Sequence, residues 1–482
     1  MECANTAHEV SHQGRWQNVL QLMILGSTLG TLCSCTSFAS TNIRRVCAAA
    51  DPAPQPNCKT SGAQSTTLTE GYKGRATFDI SPERGDPNTL FILALSGGGS
   101  RSAYFSADVM LRLQTVFPDV NLLSEVDAIS AVSGGSLAAA YYAISADDPS
   151  AANPWTEKKV RSLMRKNYTL RWFLNWFWPD NVAKFWLTAF NRTDIMARTF
   201  SKNLYSTKVL HDLKIKDLRS DRPYLILNAT NGTDGQFDSP FTFTDQDFSL
   251  IGSDVEAYSL SRAVMGTAAF PGVFNYMTLR DWSSKDIKPR YVHIFDGGNY
   301  DNLGLGSVTR MLDRLEQNGT HYQNLVVILV DAYTHPRGVD PSRANTRGVT
   351  DYIIDKNFLA SSDALLHLNR DHILNAFNRR LEEWYEREPG LKQHVVFYQI
   401  QLLDLEDFNE VEDHELAQRL NGIPTNFKIE KEEADDVDKA VMRLISPENI
   451  CLRAIKNLVQ NATQPIKSDE SDPVCRYPGK AH

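Results

Sequence analysis

The chain has 482 residues, enough for one large domain or two ordinary ones, and 42% hydrophobic with 22% charged residues is a globular composition. A formal net charge of −8 argues against a nucleic-acid-binding protein, which needs a basic surface. No repeat of fixed period suggests a solenoid or propeller, and none of the cysteine spacings is typical of a zinc site. We therefore expect a globular protein without a structural metal.

The first 35 residues have the pattern of an export signal. Residues 19–32 form an apolar run of 14 residues, short for a membrane span and suited to the core of a secretory signal. The following Leu32-Cys33-Ser34-Cys35 resembles the bacterial lipobox, in which a Leu and two small residues precede a lipid-modified Cys. Cys33 and the single basic residue before the run, Arg15, depart from that pattern, so an ordinary cleaved signal or an uncleaved anchor stays open. Our leading prediction is lipidation of Cys35 and export to the bacterial cell envelope.

The cysteines after Cys35 are even in number, as expected for disulfide pairing outside the cytoplasm. With Cys35 modified, the pairs Cys47–Cys58 and Cys451–Cys475 are the simplest of the three possible pairings. The segment between Cys35 and the first strong strand pattern contains Pro, Ser and Thr, which favour a flexible linker. We predict a spacer over residues 36–88.

A glycine-rich turn follows the first buried strand pattern. Residues 90–95 are continuously apolar, and they lead into Gly-Gly-Gly-Ser-Arg-Ser at residues 97–102 and then a helical pattern to about Phe117. Such a turn gathers backbone N–H groups at a helix N-terminus, where an oxyanion or a phosphate is stabilised. The turn is neither GxGxxG nor a Walker loop, so alone it does not decide between the two ligands.

A serine lies in the next strand-to-helix turn. Residues 126–132 are a second buried-strand pattern, followed by Ser133-Gly134-Gly135-Ser136 and a strong helix former. This is the pattern of a nucleophile elbow, in which a sharp turn exposes the serine Oγ at the strand end. The alternative is that Ser133 only caps the helix.

A carboxylate ends a later strand pattern. Residues 291–295 are followed by Asp296-Gly297-Gly298, and the glycines allow the backbone to pass close to neighbouring chain. A serine hydroxyl needs a base to become a nucleophile, and Asp296 lies at the strand end where ligands bind in open α/β sheets. Asp-Gly is also a common turn pair, so a purely structural Asp296 is the alternative.

The three motifs, in this order and spacing, resemble the signature motifs of the patatin-like phospholipases. Residues 225–230, 261–274 and 300–304 extend the resemblance, which covers roughly residues 90–337. It implies an α/β fold, a three-layer α/β/α domain with a largely parallel sheet, over residues 89–345. Beyond it, helical periodicity over residues 351–386 and a charged run at 430–438 predict that residues 346–482 form a mostly helical extension packed on this domain, with one further strand at the apolar run of residues 395–400.

The resemblance also implies the chemistry. Ser133 would attack an ester carbonyl, Asp296 would accept its proton, and water would hydrolyse the acyl-enzyme, with no catalytic His, metal or other cofactor. The backbone N–H groups of Gly97, Gly98 and Gly99 would form the oxyanion hole, supported by Arg101. The resemblance thus implies a lipid acyl hydrolase of the phospholipase A or lysophospholipase type. Two positions depart from the family pattern, Ala131 and Ser102, where the motifs have Gly.

An aromatic segment suggests a contact with a membrane surface. Nine of the 23 residues at positions 168–190 are aromatic. Trp and Tyr favour the membrane–water boundary, and we expect Trp172, Trp176, Phe177 and Trp178 to dock on lipid. A pair of core-packing helices is an equal alternative.

Three other functions stay open at this stage. The same dyad would serve a neutral-lipid lipase, an acyltransferase or an esterase. A Ser-His-Asp enzyme would need a base from four histidines that follow the motifs: His321, His335, His367 and His372. A catalytically silent, lipid-binding envelope lipoprotein is the alternative of another class. The sequence does not indicate an oligomeric state.

Overall fold

A computed structural model describes residues 41–47, 59–60, 88–207, 212–233, 239–284, 286–317, 322–334, 356–387, 394–408 and 410–460. The predicted export signal and Cys35 lie outside the described residues. The predictions of lipidation and export therefore stay predictions.

An eight-stranded sheet occupies the centre of the molecule, with the strand order β10-β9-β3-β4-β5-β8-β7 and β6 paired to β5. The first five strands of that order are parallel, whereas β6 and β8 run antiparallel to β5, and β7 runs antiparallel to β8. A separate pair of short strands, β1 and β2, precedes it. The strands are β1 Val46–Cys47, β2 Lys59–Thr60, β3 Thr89–Leu95, β4 Ala128–Val132, β5 Tyr224–Asn231, β6 Ser239–Thr242, β7 Met277–Asp281, β8 Arg290–Asp296, β9 Asn324–Asp331 and β10 Val395–Gln401.

Helices cover both faces of this sheet. They are α1 Gly99–Thr115, α2 Ser133–Ile144, α3 Glu157–Met164, α4 Tyr168–Trp176, α5 Pro179–Leu187, α6 Arg192–Asn203, α7 Asp245–Leu250, α8 Leu260–Thr267, α9 Leu305–Gln317, α10 Lys356–Arg387, α11 Val411–Asn421, α12 Lys431–Leu444 and α13 Ile450–Gln460. Short 3₁₀ turns follow β8 and β10, at Gly297–Asn299 and Leu402–Asp407.

The alternation of side chains along β3 divides the core into two layers. Phe91, Leu93 and Leu95 belong to one buried cluster, together with side chains of α1, α2, α8, α12 and α13. Leu90, Ile92 and Ala94 face the other way and join a second cluster with α9 and α10. Because both faces are covered, the central strands are apolar on both sides, as the continuous run of residues 90–95 predicts. The predicted three-layer α/β/α fold with a largely parallel sheet is confirmed.

The last part of the chain completes the sheet as well as covering it. Strand β10 pairs in parallel with β9, from Val395 opposite Leu325 to Gln401 opposite Asp331. Helix α10 covers the second face, and the remaining helices α11 to α13 cover the first. The residues after position 345 therefore share both cores with the residues before it.

A short segment within the predicted spacer is held on the domain. The Asn42 side chain is 1% exposed, donates to Ser253 Oγ at 2.9 Å and accepts from the Arg280 N–H at 2.8 Å. Arg45 forms an ion pair with Asp245. These bonds fix residues 42–45 against the domain instead of leaving them as a loose linker. Farther along the chain, Cys451 is disulfide-bonded, and the two predicted pairings stay predictions.

Candidate active site

Ser133 occupies a strained turn between β4 and α2. Its φ is 46°, in the left-handed region that non-glycine residues seldom adopt, and strain of this kind is concentrated at functional sites. The two residues after it must be glycine, because a Cβ on Gly134 would lie 2.1 Å from Gly99 O and one on Gly135 would lie 2.7 Å from Ser96 O. The elbow is thus pressed against the glycine-rich turn, which brings the serine and that turn together.

The two departures from the family motifs are accommodated. Ala131 lies inside β4, and Ser133 is the one non-glycine residue with positive φ in the described part of the chain. Position 131 therefore does not require glycine for its backbone conformation. Ser102 places its hydroxyl 2.5 Å from Ser96 O, to which it donates, so the extra polar atom is satisfied.

The Ser133 hydroxyl donates to Asp296 Oδ2 at 2.9 Å. The other carboxylate oxygen, Oδ1, accepts from the Gly298 N–H at 2.8 Å. Ser133 is 8% exposed and Asp296 is 4% exposed, so the pair is shielded from bulk water. In the described residues Ser133 Oγ bonds to Asp296 and caps no N–H group of α2. Asp296 makes the turn contact that the structural alternative expects, and it contacts the serine as well.

Asp296 reaches the serine across strand β5. Strand β8 runs antiparallel to β5 and places Asp296 opposite Ala229, close to where the neighbouring strand β4 ends at Val132. Thr230 Oγ1 donates to the Asp296 carbonyl at 2.8 Å and fixes the end of β8. A Cβ on Gly297 would lie 2.4 Å from Asn228 O, which explains the glycine after the carboxylate. The sequence predicts the strand end correctly but not the antiparallel direction of β8.

Burial raises the pKa of Asp296 to about 7, against the opposing effects of the hydrogen bonds from the Gly298 N–H and the Ser133 hydroxyl. A carboxyl group with this pKa is a much better proton acceptor at neutral pH than an exposed Asp, whose pKa is about 3.9. The arrangement can therefore remove the proton of Ser133 as its Oγ attacks an electrophile.

The glycine-rich turn presents two N–H groups beside Ser133. Gly98 and Gly99 have φ of 141° and 61°, conformations that suit glycine, and neither of their N–H groups has an acceptor within the described residues. The Gly97 N–H differs from the prediction, because it donates to Asn302 O at 2.9 Å. Of the three predicted N–H groups, only those of Gly98 and Gly99 are therefore left to receive an oxyanion.

Arg101 ties the turn to two other parts of the chain. Its Nε donates to Ala332 O at 3.0 Å and its Nη1 to Ile423 O at 2.7 Å, and the residue is 7% exposed. The guanidinium thus holds the glycine-rich turn between the end of β9 and the C-terminal extension, which is a positioning role.

Sequence reasoning missed three asparagines around the site. Asn228 Nδ2 donates to Ser130 Oγ at 2.9 Å and Ala131 O at 3.0 Å, so it braces the strand below the elbow. Asn302 O accepts from Gly97, and Asn426 O accepts from the Ser100 N–H at 2.6 Å. Asn228 and Asn302 lie in segments that already resemble the family, which was the available signal. Nothing in the sequence around Asn426 indicates its contact.

The aromatic segment forms the helical hairpin α4–α5, and the four predicted docking residues divide between its two sides. Phe177 and Trp178 are exposed, at 66% and 59%. Trp172 instead turns inward, with Nε1 donating to Arg192 O at 2.9 Å and its ring packing on Phe274. Trp176 is half-buried between Trp172 and Phe185. One face of the hairpin therefore packs on the domain, as the core-packing alternative predicts, and the other faces outward. Docking on lipid stays a prediction, and Trp172 does not lie on the outward face.

The other candidate groups lie elsewhere or outside the described residues. His372 is exposed on α10, whereas His321, His335 and the His367 side chain are not described.

Two surface cavities of about 640 and 530 Å³ are lined mainly by charged residues of α3 and α12, and by neither Ser133 nor Asp296. In the described ranges no helix is long and apolar enough to cross a membrane.

The region that holds this site matches a known protein family. Residues 93–309 match the model of the patatin-like phospholipases, and this range contains the elbow, the glycine-rich turn and Asp296. The chain carries a patatin-like phospholipase domain. A search of curated proteins gave no match.

Two solved structures are similar to this chain. Human GIVD cytosolic phospholipase A2 has 12% identity and a TM-score of 0.42, over 77% of this chain and 60% of that one. VipD from Legionella pneumophila has 12% identity and a TM-score of 0.31, over 75% of this chain and 67% of that one. The chain thus spans about 60% of the length of the human protein.

Proposed function

We propose that this protein is a lipid acyl hydrolase of the phospholipase A or lysophospholipase type, with Ser133 as nucleophile and Asp296 as base. The observation that carries the proposal is the 2.9 Å hydrogen bond from Ser133 Oγ to a carboxylate whose pKa burial raises to about 7. The patatin-like domain around these residues supports a lipid ester as the substrate class.

The proposed reaction has two steps. Ser133 Oγ bonds to the ester carbonyl carbon as Asp296 takes its proton, and the N–H groups of Gly98 and Gly99 stabilise the oxyanion. The bond to the alcohol then breaks, and the proton on Asp296 passes to the leaving alkoxide, which leaves an acyl-enzyme. Water attacks this ester in the second step, again losing its proton to Asp296, and the fatty acid is released as Ser133 regains a proton.

Labelling with a fluorophosphonate ester tests the dyad. Wild type should be labelled, Ser133→Ala should not, and Asp296→Asn should be labelled at least about 100-fold more slowly, the usual size of a general-base effect. Ser136→Ala is the matched control, since this buried serine lies three residues further along α2 and its Oγ has no partner among the described residues. Equal labelling of Ser133→Ala and wild type would remove Ser133 from the mechanism.

We further propose that the protein is exported and anchored to the cell envelope through Cys35. The disulfide of Cys451 supports export, because such bonds persist in oxidising compartments. Growth with an alkyne fatty acid should label wild type and leave Cys35→Ser unlabelled. A wild-type protein without label would overturn the anchor and leave the hydrolase proposal untouched.

A further inference from the structure

The outward face of the α4–α5 hairpin is apolar, and no other element in the described part of the chain covers it. Trp186, Phe177, Trp178 and Phe173 are exposed at 76%, 66%, 59% and 55%, with Leu170, Leu174, Val182 and Leu187 exposed around them. Phe173 and Phe177 contact each other edge to face, with ring centroids 5.2 Å apart. A contiguous apolar surface of this kind marks a contact with a partner or a membrane.

The hairpin and its flanking helices are rich in basic residues. Residues 157–203, which include the hairpin and its flanking helices, contain ten basic and three acidic residues, a net charge of +7 in a chain whose total is −8. Lys158, Lys159 and Arg171 are exposed, and Lys202 Nζ lies 5.6 Å from the centre of the Trp178 ring. Exposed tryptophans beside basic side chains are complementary to an anionic lipid surface, whose headgroups attract the cations and whose boundary region accepts the rings.

A five-residue segment joins the hairpin to the proposed oxyanion hole. This strap, residues 423–427, accepts from Arg101 Nη1 at Ile423 O and from the Ser100 N–H at Asn426 O. At its other end, Phe427 O accepts from the N–H groups of Tyr168 and Thr169, at 2.9 and 3.2 Å, where α4 begins. The strap is thus bonded to the glycine-rich turn and to the hairpin within five residues.

The side chains of the strap continue this connection. The Phe427 ring lies 5.9 Å from the Phe274 ring, which lies 5.3 Å from the Trp172 ring on the inner face of α4. At the catalytic end, a Cβ on Gly99 would lie 2.3 Å from Asn426 O, so the strap runs directly over the turn. A shift of α4 therefore moves the strap unless the bonds from Tyr168 and Thr169 to Phe427 O break.

We propose that the α4–α5 hairpin docks on an anionic phospholipid surface and that the strap transmits docking to the glycine-rich turn. Docking displaces the strap and admits an ester to Ser133, which is only 8% exposed in the undocked protein. The coupling to activity rests on the proposed hydrolase function, whereas the docking itself does not.

Vesicle co-sedimentation tests the docking in the full-length Ser133→Ala protein, so that no lipid is consumed. We expect binding to phosphatidylcholine vesicles that contain a quarter phosphatidylglycerol, and weaker binding to phosphatidylcholine alone. The double variant Phe177→Ser/Trp186→Ser should bind about tenfold or more weakly, because both rings lose their place in the interface. Leu250→Ser is the matched control, since Leu250 is 65% exposed outside the hairpin, and it should bind as the parent does.

Two results would overturn the docking proposal. One is equal binding of the double variant and the Leu250→Ser control. The other is a dimeric or larger parent protein that the double variant converts to a monomer, since the apolar face would then be a contact between copies of the chain. Thermal unfolding of each variant shows whether the fold is intact.

The coupling is tested with a water-soluble ester and vesicles of ether-linked phospholipids, which contain no cleavable acyl ester. Vesicles should accelerate ester hydrolysis by wild type several-fold, and Phe427→Ala should bind vesicles but lose the acceleration. Phe408→Ala, at a half-buried phenylalanine of the same extension that contacts Arg443, should keep it. Acceleration of Phe427→Ala equal to that of wild type overturns the coupling, whereas an absence of hydrolysis under all conditions overturns the proposed function and leaves the binding result intact.

Discussion

The pKa of Asp296 sets the pH range in which the proposed base can work. Since burial raises this pKa to about 7, the carboxylate form increases as pH rises through neutrality. We predict that kcat/KM for a neutral ester rises by about tenfold per pH unit below 7 and levels off above it. Measurement of kcat/KM from pH 5 to 9 checks this, and a flat profile would contradict it.

The same raised pKa makes Asp296 a source of instability. The unfolded chain ionises this group near pH 3.9, so between about pH 4 and 7 the folded state binds more protons and stability falls as pH rises. Above pH 7 the cost is constant. Asp296→Asn removes the charge, so at pH 8 its free energy of unfolding should exceed that of wild type by up to about 4 kcal/mol. Its melting temperature should be higher accordingly.

The pH dependence of that difference is the control. The gap in melting temperature between Asp296→Asn and wild type should shrink as pH falls from 8 to 4. A gap that stays constant would mean that the substitution acts through packing and not through ionisation.

At the scale of residues, the sequence predicts the groups that local pattern identifies. Ser133 and Asp296 each stand at the end of an apolar run beside glycines, and the structure brings them within hydrogen-bond distance. The family resemblance places the Gly97 N–H in the oxyanion hole, and no local pattern reveals that Asn302 O, over 200 positions later, accepts from it. Such contacts depend on the tertiary fold and leave no local pattern.

The elbow is the element on which the site depends most directly. The main chain of Gly134 lies so close to the glycine-rich turn that an added methyl group would meet Gly99 O at 2.1 Å. We predict that Gly134→Ala lowers stability by about 2 kcal/mol or more, because backbone must shift, and reduces fluorophosphonate labelling strongly. Thermal unfolding and labelling measured on the same sample check both effects, and a fully active, stable variant would contradict the close contact.

At the scale of elements, the apolar pattern of the sequence predicts where a strand lies in the chain better than the direction in which it runs in the sheet. The apolar runs at 90–95, 291–295 and 395–400 correspond to β3, β8 and β10 within one or two residues. The antiparallel direction of β8 was not predictable, since a strand pattern is the same in both directions. The aromatic segment was ambiguous for a related reason, because aromatic residues occupy both faces of α4 and only packing shows which face is covered.

Most of the described chain packs on the eight-stranded sheet, and neither the spacing of the motifs nor the family match gives the limits of that sheet. The match ends at residue 309, before β9, and the predicted domain ends at 345, before β10. Charge and helical periodicity predict a helical extension over residues 346–482. They do not show that β10, within this extension, pairs with β9. Pairing of strands that are about 70 residues apart in sequence is again a tertiary property.

A chain truncated after residue 345 should therefore not fold. It would expose β9, all eight residues of which are buried, as an unpaired edge, and it would uncover the second core where Phe377 and Phe397 pack. We predict that this truncated protein aggregates while the full-length protein does not. Size-exclusion chromatography of both checks this, and a monodisperse truncated protein would show that the sheet is complete without β10.

The attachment of Asn42 limits how far an anchored enzyme could reach. If Cys35 carries a lipid, the side chain fixed to Ser253 and Arg280 is only seven positions from the lipidated residue, a span of at most about 25 Å. Arg280 also lies on β7, five residues beyond Asn275, which receives bonds from Arg192 and Thr193 next to the aromatic hairpin. Such an enzyme would act on lipids of the leaflet that anchors it, which it meets at high local concentration. It would not reach a membrane across the compartment.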